Sequence, residues 1–146
     1  MKTFEFRLSQ ALRWREEQAN LQKSRLSAAA GSVMRANAAL ESCKAQSRNA
    51  AAAIKLSPDG AALSAYAGFA ARSRARLRDL ERQKREAEAM AAVEMNRLIE
   101  ANRGVRLLEK LRDTQQIRWR RAFDRETETF AGEAFLHRLQ SRKETK

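Results

Sequence analysis

An all-α fold, a long antiparallel coiled-coil hairpin of two helices with a projecting C-terminal helix, is predicted by three observations. The 146-residue chain holds a single proline, Pro58, in Leu56-Ser57-Pro58-Asp59-Gly60. On either side of it, apolar residues recur at alternating steps of three and four. Ala, Leu, Arg, Glu and Gln dominate the composition, with only five glycines, and all five of those abundant residues favour helix.

Helix 1 is predicted over about residues 4 to 56. Stepping four and three from Leu8 to Ile54 meets an apolar residue at eleven of fourteen positions, the exceptions being Arg15, Gln22 and Ser47. Helix 2 is predicted over about residues 58 to 140. The same rhythm from Leu63 to Leu108 has three exceptions, Ser73, Lys84 and Glu94. A repeat of 3.5 residues sustained over this length is the spacing that keeps one narrow stripe turned toward a partner helix. Between the helices, residues 57 to 60 form the turn, with Ser57 as the expected N-cap and Pro58 at the first helical position, where a missing N–H has no cost.

Folding the chain back at residue 58 opposes positions whose numbers sum to 116 or 117. Ala19 then faces Leu98, Leu26 faces Ala91, Ala36 faces Leu80 and Ala50 faces Tyr66, so that large meets small. Gln22 falls opposite Glu94, which lets two polar exceptions satisfy each other. Val33 against Lys84 and Arg15 against Ala101 fit less well; their long stems must lie along the stripe and carry the charge to water.

The two arms are unequal, about 80 Å and 120 Å if fully helical. Residue 4 is expected opposite residue 113, leaving an overhang from about 113 onward that holds Trp119, Phe123, Phe130 and Phe135. Phe4, Phe6 and Trp14 lie at the same end, and Tyr66 and Phe69 near the hairpin tip. Tyr66 falls on the stripe and Phe69 beside it. Aromatic side chains gathered at two extremities point to partners there.

Composition narrows the function. Cys43 is the lone cysteine and His137 the lone histidine, which excludes disulfides and two-histidine zinc motifs; Cys43 is expected as a small core residue. No glycine belongs to a phosphate-binding loop, and a two-helix hairpin offers no cleft that excludes water. The expectation is a protein with no catalytic residues, no cofactor and no small-molecule substrate. No apolar run approaches the roughly 20 residues that span a bilayer, and the N-terminus does not read as a secretory signal, so a cytoplasmic location is expected.

The formal net charge is +12, spread as about +6 over residues 1–57, +3 over 58–111 and +3 over 112–146. Arg72, Arg74, Arg76 and Arg78 form an apparent cluster, but they scatter around a helix and are followed by Asp79, Glu81, Glu86 and Glu88. A solvated surface with an arginine bias accounts for much of this. The remainder suits an anionic protein or nucleic acid, although no nucleic-acid-binding motif is present. Arg118-Trp119-Arg120-Arg121 sets an aromatic among cations in the projecting segment.

Particular residues carry a family resemblance. Phe4-Glu5-Phe6-Arg7-Leu8, followed by Leu12-Arg13-Trp14-Arg15-Glu16-Glu17, is similar to the N-terminus of the flagellar FliJ family, with its Phe-x-Phe-x-Leu start and Leu-x-x-Arg-Glu helix. Leu63-Ser64-Ala65-Tyr66-Ala67-Gly68-Phe69 resembles that family's tyrosine-bearing start of the second helix. In Phe130-Ala131-Gly132-Glu133-Ala134-Phe135, Glu133 and Ala134 match a C-terminal Asp-Glu-x-Ala type element, while Gly132 stands in place of its Asp.

The resemblance implies an antiparallel coiled coil similar to the central γ stalk of rotary ATPases. It also implies a cytoplasmic component of the flagellar type III export apparatus, peripherally associated with the membrane-embedded machinery. Its implied partners are the hexameric export ATPase, the cytoplasmic domain of the export-gate membrane protein, and export chaperones. On that basis the ATPase-binding candidates are Arg118, Trp119, Arg121, Phe123 and Phe130 with Phe4 and Phe6 packed beside them, and the export-gate candidate is Phe69. The alternatives are the equivalent stalk of a virulence injectisome, a basic coiled-coil protein binding nucleic acid or ribosomes, and a scaffold that self-associates through its overhang.

Overall fold

The computed structural model describes residues 3–57 and 59–144, the last four of these by backbone only. It is an all-α two-helix hairpin. Helix α1 is Ser9–Leu56, 48 residues, and α2 is Gly60–Glu144, 85 residues. The packing divides the chain into two compact units, Glu17–Ala101 and Met1–Glu16 with Asn102–Lys146.

In the unit Glu17–Ala101, the stripe read from the sequence is the buried one. Every stripe position from Ala19 to Ile54 on α1, and from Tyr66 to Ala101 on α2, is buried or half-buried; Leu63, the first, is exposed. Leu40, Cys43 and Leu80 form a buried cluster with Leu77 packed against it, so Cys43 is a core residue as expected. Such a narrow contact leaves few side chains out of water, and the apolar contribution rests on these few, about 1.5–3 kcal/mol for a fully buried leucine.

Polar residues share the same stripe. Gln22 and Glu94, expected to face each other, are both buried, and the Gln22 amide donates to the Glu94 carboxylate and, at 3.3 Å, to its main-chain carbonyl. The other Glu94 oxygen accepts from Arg97 at 2.9 Å. Farther along, the Ser47 and Ser73 hydroxyls hydrogen-bond across the two helices, Ser47 donates to the Cys43 carbonyl at 3.0 Å, and the Cys43 sulfur lies 4.0 Å from the Ser73 oxygen. Lys84 keeps its ammonium at the surface, 3.7 Å from Glu88. Among the described residues no buried side-chain nitrogen or oxygen lacks a hydrogen-bond partner, which removes the desolvation cost that polar stripe residues otherwise carry.

The turn corrects one expectation. Asp59, not Ser57, caps α2: its carboxylate accepts the Ala62 N–H at 2.6 Å and its carbonyl accepts the Leu63 N–H at 2.9 Å. Helix 2 therefore begins at Gly60 rather than about 58, and Ser57 is left in the turn, accepting the Asp59 N–H at 3.2 Å. A carboxylate caps as well as a hydroxyl does and adds a favourable charge at the helix N-terminus. The expected placement of Pro58 lies outside the described residues.

In the other unit, helix 1 does not begin at residue 4. Thr3 to Leu8 are non-helical, with a turn closed by the Ser9 N–H on the Phe6 carbonyl at 3.0 Å, and α1 starts at Ser9. Phe4 and Phe6 explain the difference. In a helix they would point about 200° apart, so one ring at most would reach the partner. In the observed arm Phe6 is buried and Phe4 half-buried, a gain that outweighs the few tenths of a kcal/mol per residue separating these residues from good helix formers. Leu8, expected on the stripe, is 40% exposed.

The arm also shifts the overhang. Phe4 packs on Trp119, not opposite residue 113. A non-helical chain advances up to about 3.3 Å per residue against about 1.5 Å in a helix, so five residues reach roughly 9 Å farther, the length of about six helical residues. Half-buried positions accordingly continue on α2 through Arg112, Gln115, Trp119, Ala122 and Phe123, and the uncovered stretch begins at Asp124. Helix 2 runs to Glu144 rather than about 140.

Candidate protein-interaction surface

The arm, the first turns of α1 and the C-terminal half of α2 bring together most of the residues singled out at this end of the sequence. Trp119 is the hub. Its ring lies 6.0 Å from that of Phe4 at an interplanar angle of 52°, and 5.3 Å from that of Phe123 at 32°. Tilted aromatic pairs at such distances contribute about 0.5–1.5 kcal/mol beyond the area they bury. Phe6 is buried in the same unit, as is Leu12.

Arg118 and Arg121 flank this cluster on α2 and are exposed. Trp14 on α1 is 53% exposed, and the Arg15 guanidinium carbon stands 5.2 Å from the centre of its ring. Arg15, a weak point of the register, is accommodated by a glycine: a Cβ at position 104 would lie 3.6 Å from the Arg15 Cδ, so the stem of the arginine runs beside the bare backbone of Gly104.

Phe130 stands apart from the cluster. From Asp124 to Gln140 every residue is exposed, with Phe130 at 71% and Phe135 and Leu136 nearly as open. Thr127 and Thr129 turn their hydroxyls back onto the carbonyls of Phe123 and Arg125, both at 2.6 Å. At 100° per residue Trp119, Phe123 and Phe130 lie within about 40° of one another, so the partly covered rings and the open one continue a single stripe.

Phe69 belongs to the unit Glu17–Ala101 and is half-buried. Together with Tyr66, Ser47, Ser73, Arg74 and Leu77 it lines a shallow hollow beside the Ser47–Ser73 hydrogen bond. Sequence reasoning separated Tyr66 from Phe69 by their stripe positions; the hollow joins them.

Three features were missed in the sequence. The period-2 spacing of Phe4 and Phe6 is an extended-chain spacing and marks the arm. Asp59 three residues before Ala62 is a capping spacing. Ser47 and Ser73, both exceptions to an apolar stripe, are a pair in the same sense as Gln22 and Glu94.

Among the described residues no three His, Cys, Asp or Glu side chains come together as metal ligands, and no helix is long and apolar enough to cross a membrane. Comparison with protein-family models, with characterised proteins and with solved structures finds no match.

Proposed function

We propose that this chain is a non-enzymatic coiled-coil stalk and escort of the flagellar type III protein-export apparatus, working in the cytoplasm at the membrane-embedded machinery. It binds the hexameric export ATPase at the Trp119 end and the cytoplasmic domain of the export gate at the Phe69 end, with export chaperones as further partners. The observation that carries the reading is the stripe Trp119, Phe123 and Phe130, which leaves the cover of the N-terminal arm beside Arg118 and Arg121 and runs out exposed at Phe130. An open aromatic gives a lone helix no stability, and it contributes about 1.5–3 kcal/mol when a partner buries it. The Phe-x-Phe-x-Leu start supports the same reading from the sequence.

Within this assignment the residues divide by geometry. Arg118, Arg121 and Phe130 meet the ATPase directly. Trp119 and Phe123 present the edges that Phe4 leaves open, while Phe6 anchors the arm. A single asymmetric helix inside a ring of six identical subunits binds their conformations unequally and shifts their populations, and the cations Arg118, Arg120 and Arg121 favour an acidic ring interior. The unbroken 3.5-residue stripe from Ala19 to Ile54 supports the coiled-coil form.

The test is ATP hydrolysis by the export ATPase of the same organism, with the chain added at limiting concentration. Phe130→Ser with Arg121→Gln should abolish stimulation while helicity and melting stay unchanged, because both side chains are exposed. Phe69→Ala should leave stimulation intact and weaken capture of the gate domain. Full stimulation by the Phe130 and Arg121 variant would remove this surface from the function.

A further inference from the structure

Charge on α2 between residues 103 and 125 is sorted by helix face, on a face that shares Arg118 and Arg121 with the proposed ATPase surface and extends beyond it to Arg103. At 100° per residue Arg103, Lys110, Arg118, Arg121 and Arg125 fall within an arc of about 100°. All five are exposed. The acidic residues of the same stretch, Glu109, Asp113 and Asp124, fall outside the arc, and Asp113 pairs with Arg112, also outside it, at 3.1 Å.

The arc is not purely cationic. Leu107, 68% exposed, and Leu111, 39% exposed, lie inside it. Leu107 sits in a shallow hollow with Arg103, Arg106 and Lys110.

We infer that this arc is a docking face for an anionic lipid surface. A straight line of cations suits a flat sheet of headgroups, where each meets negative charge at once, and leucines set among them enter the headgroup boundary. Nucleic acid supplies the negative charge but gives no place for the leucines, since its backbone contacts are polar. A second copy of the chain is opposed by like charge: the unit bearing the arc carries sixteen basic against nine acidic residues. An acidic protein groove is the remaining occupant, and it does not require membrane.

The experiment is co-sedimentation of the full chain with vesicles of mixed phosphatidylglycerol and phosphatidylcholine, against phosphatidylcholine alone and against duplex DNA. Binding to the anionic vesicles only, lost as salt rises, is expected. Arg103→Gln with Lys110→Gln should weaken it roughly 25-fold, on the order of fivefold for each cation near the surface. Leu107→Gln with Leu111→Gln should weaken vesicle binding and leave any DNA binding unchanged. Circular dichroism checks that both variants remain helical. As a second readout, an environment-sensitive dye on a cysteine at position 107, in a Cys43→Ala background, should shift to the blue on anionic vesicles. No preference for anionic over neutral vesicles, or DNA binding that outcompetes vesicles with an unshifted dye, would overturn the inference.

Discussion

The amide of Gln22 hydrogen-bonds Glu94 from the facing helix, 72 residues away in sequence, and both side chains are buried. Each is an exception to an otherwise apolar stripe, and each satisfies the other. A buried donor or acceptor left without its partner costs about 1–3 kcal/mol, more when it is charged, whereas replacing both partners by apolar groups is close to neutral.

Gln22→Leu alone should therefore destabilise the hairpin by about 1–3 kcal/mol, since it leaves one oxygen of the buried Glu94 carboxylate without its donor while Arg97 holds the other. Gln22→Leu with Glu94→Leu should recover most of that loss. A double-mutant cycle by urea unfolding checks this. Additive losses would show that the pair does not act as a unit.

The register makes a covalent prediction. In a Cys43→Ser background, cysteines at positions 26 and 91 should form a disulfide within one chain under mild oxidation, because those positions oppose each other in the antiparallel pairing. Non-reducing electrophoresis distinguishes a faster-migrating monomer from a dimer. Dimers alone would indicate that the pairing is made between chains.

The N-terminal arm should be legible in fluorescence. With Trp14→Phe removing the other indole, Phe4→Ala together with Phe6→Ala should raise acrylamide quenching of Trp119 and lower the melting temperature modestly. Helical content should hardly change, since Thr3 to Leu8 are already non-helical. A loss of several turns of helix would mean that the arm nucleates α1 rather than covering α2.

Gly132 offers a contrast. It lies mid-helix with nothing within 4 Å of a Cβ built there. Gly132→Ala should stabilise the surrounding helix by about 0.5–1 kcal/mol, read as slower amide exchange around residues 128 to 136. Faster exchange there would place a close neighbour at this position.

How far the sequence determined the fold follows from which forces act locally. The stripe from Ala19 to Ile54 and its partner were legible because a two-helix interface is periodic, and periodicity needs no tertiary knowledge. Gln22 with Glu94 was legible because one register satisfied both. Arg15 with Gly104 was not, since a glycine in a helix looks like a local cost until the arginine stem beside it is seen. The arm was hidden by the same assumption of continuous helix: both Phe4 and Phe6 are covered only if the helix gives way, and for Phe4 that gain depends on Trp119, more than a hundred residues later. Of the candidate surface, the sequence named the aromatics and arginines but not how they divide. Phe4 and Phe6 serve the arm, whereas Phe130 lies open.

The central claim is that the open end of the Trp119–Phe123–Phe130 stripe meets the export ATPase. A photo-crosslinking residue substituted for Phe130 in the full chain, irradiated with the assembled ATPase hexamer and ATP, tests it most directly. The account predicts a crosslink to one ATPase subunit per ring, absent when the crosslinker is placed instead at Met34, on the other helix and exposed. Equal crosslinking from both positions, or crosslinks from position 130 only to a second copy of this chain, would contradict it.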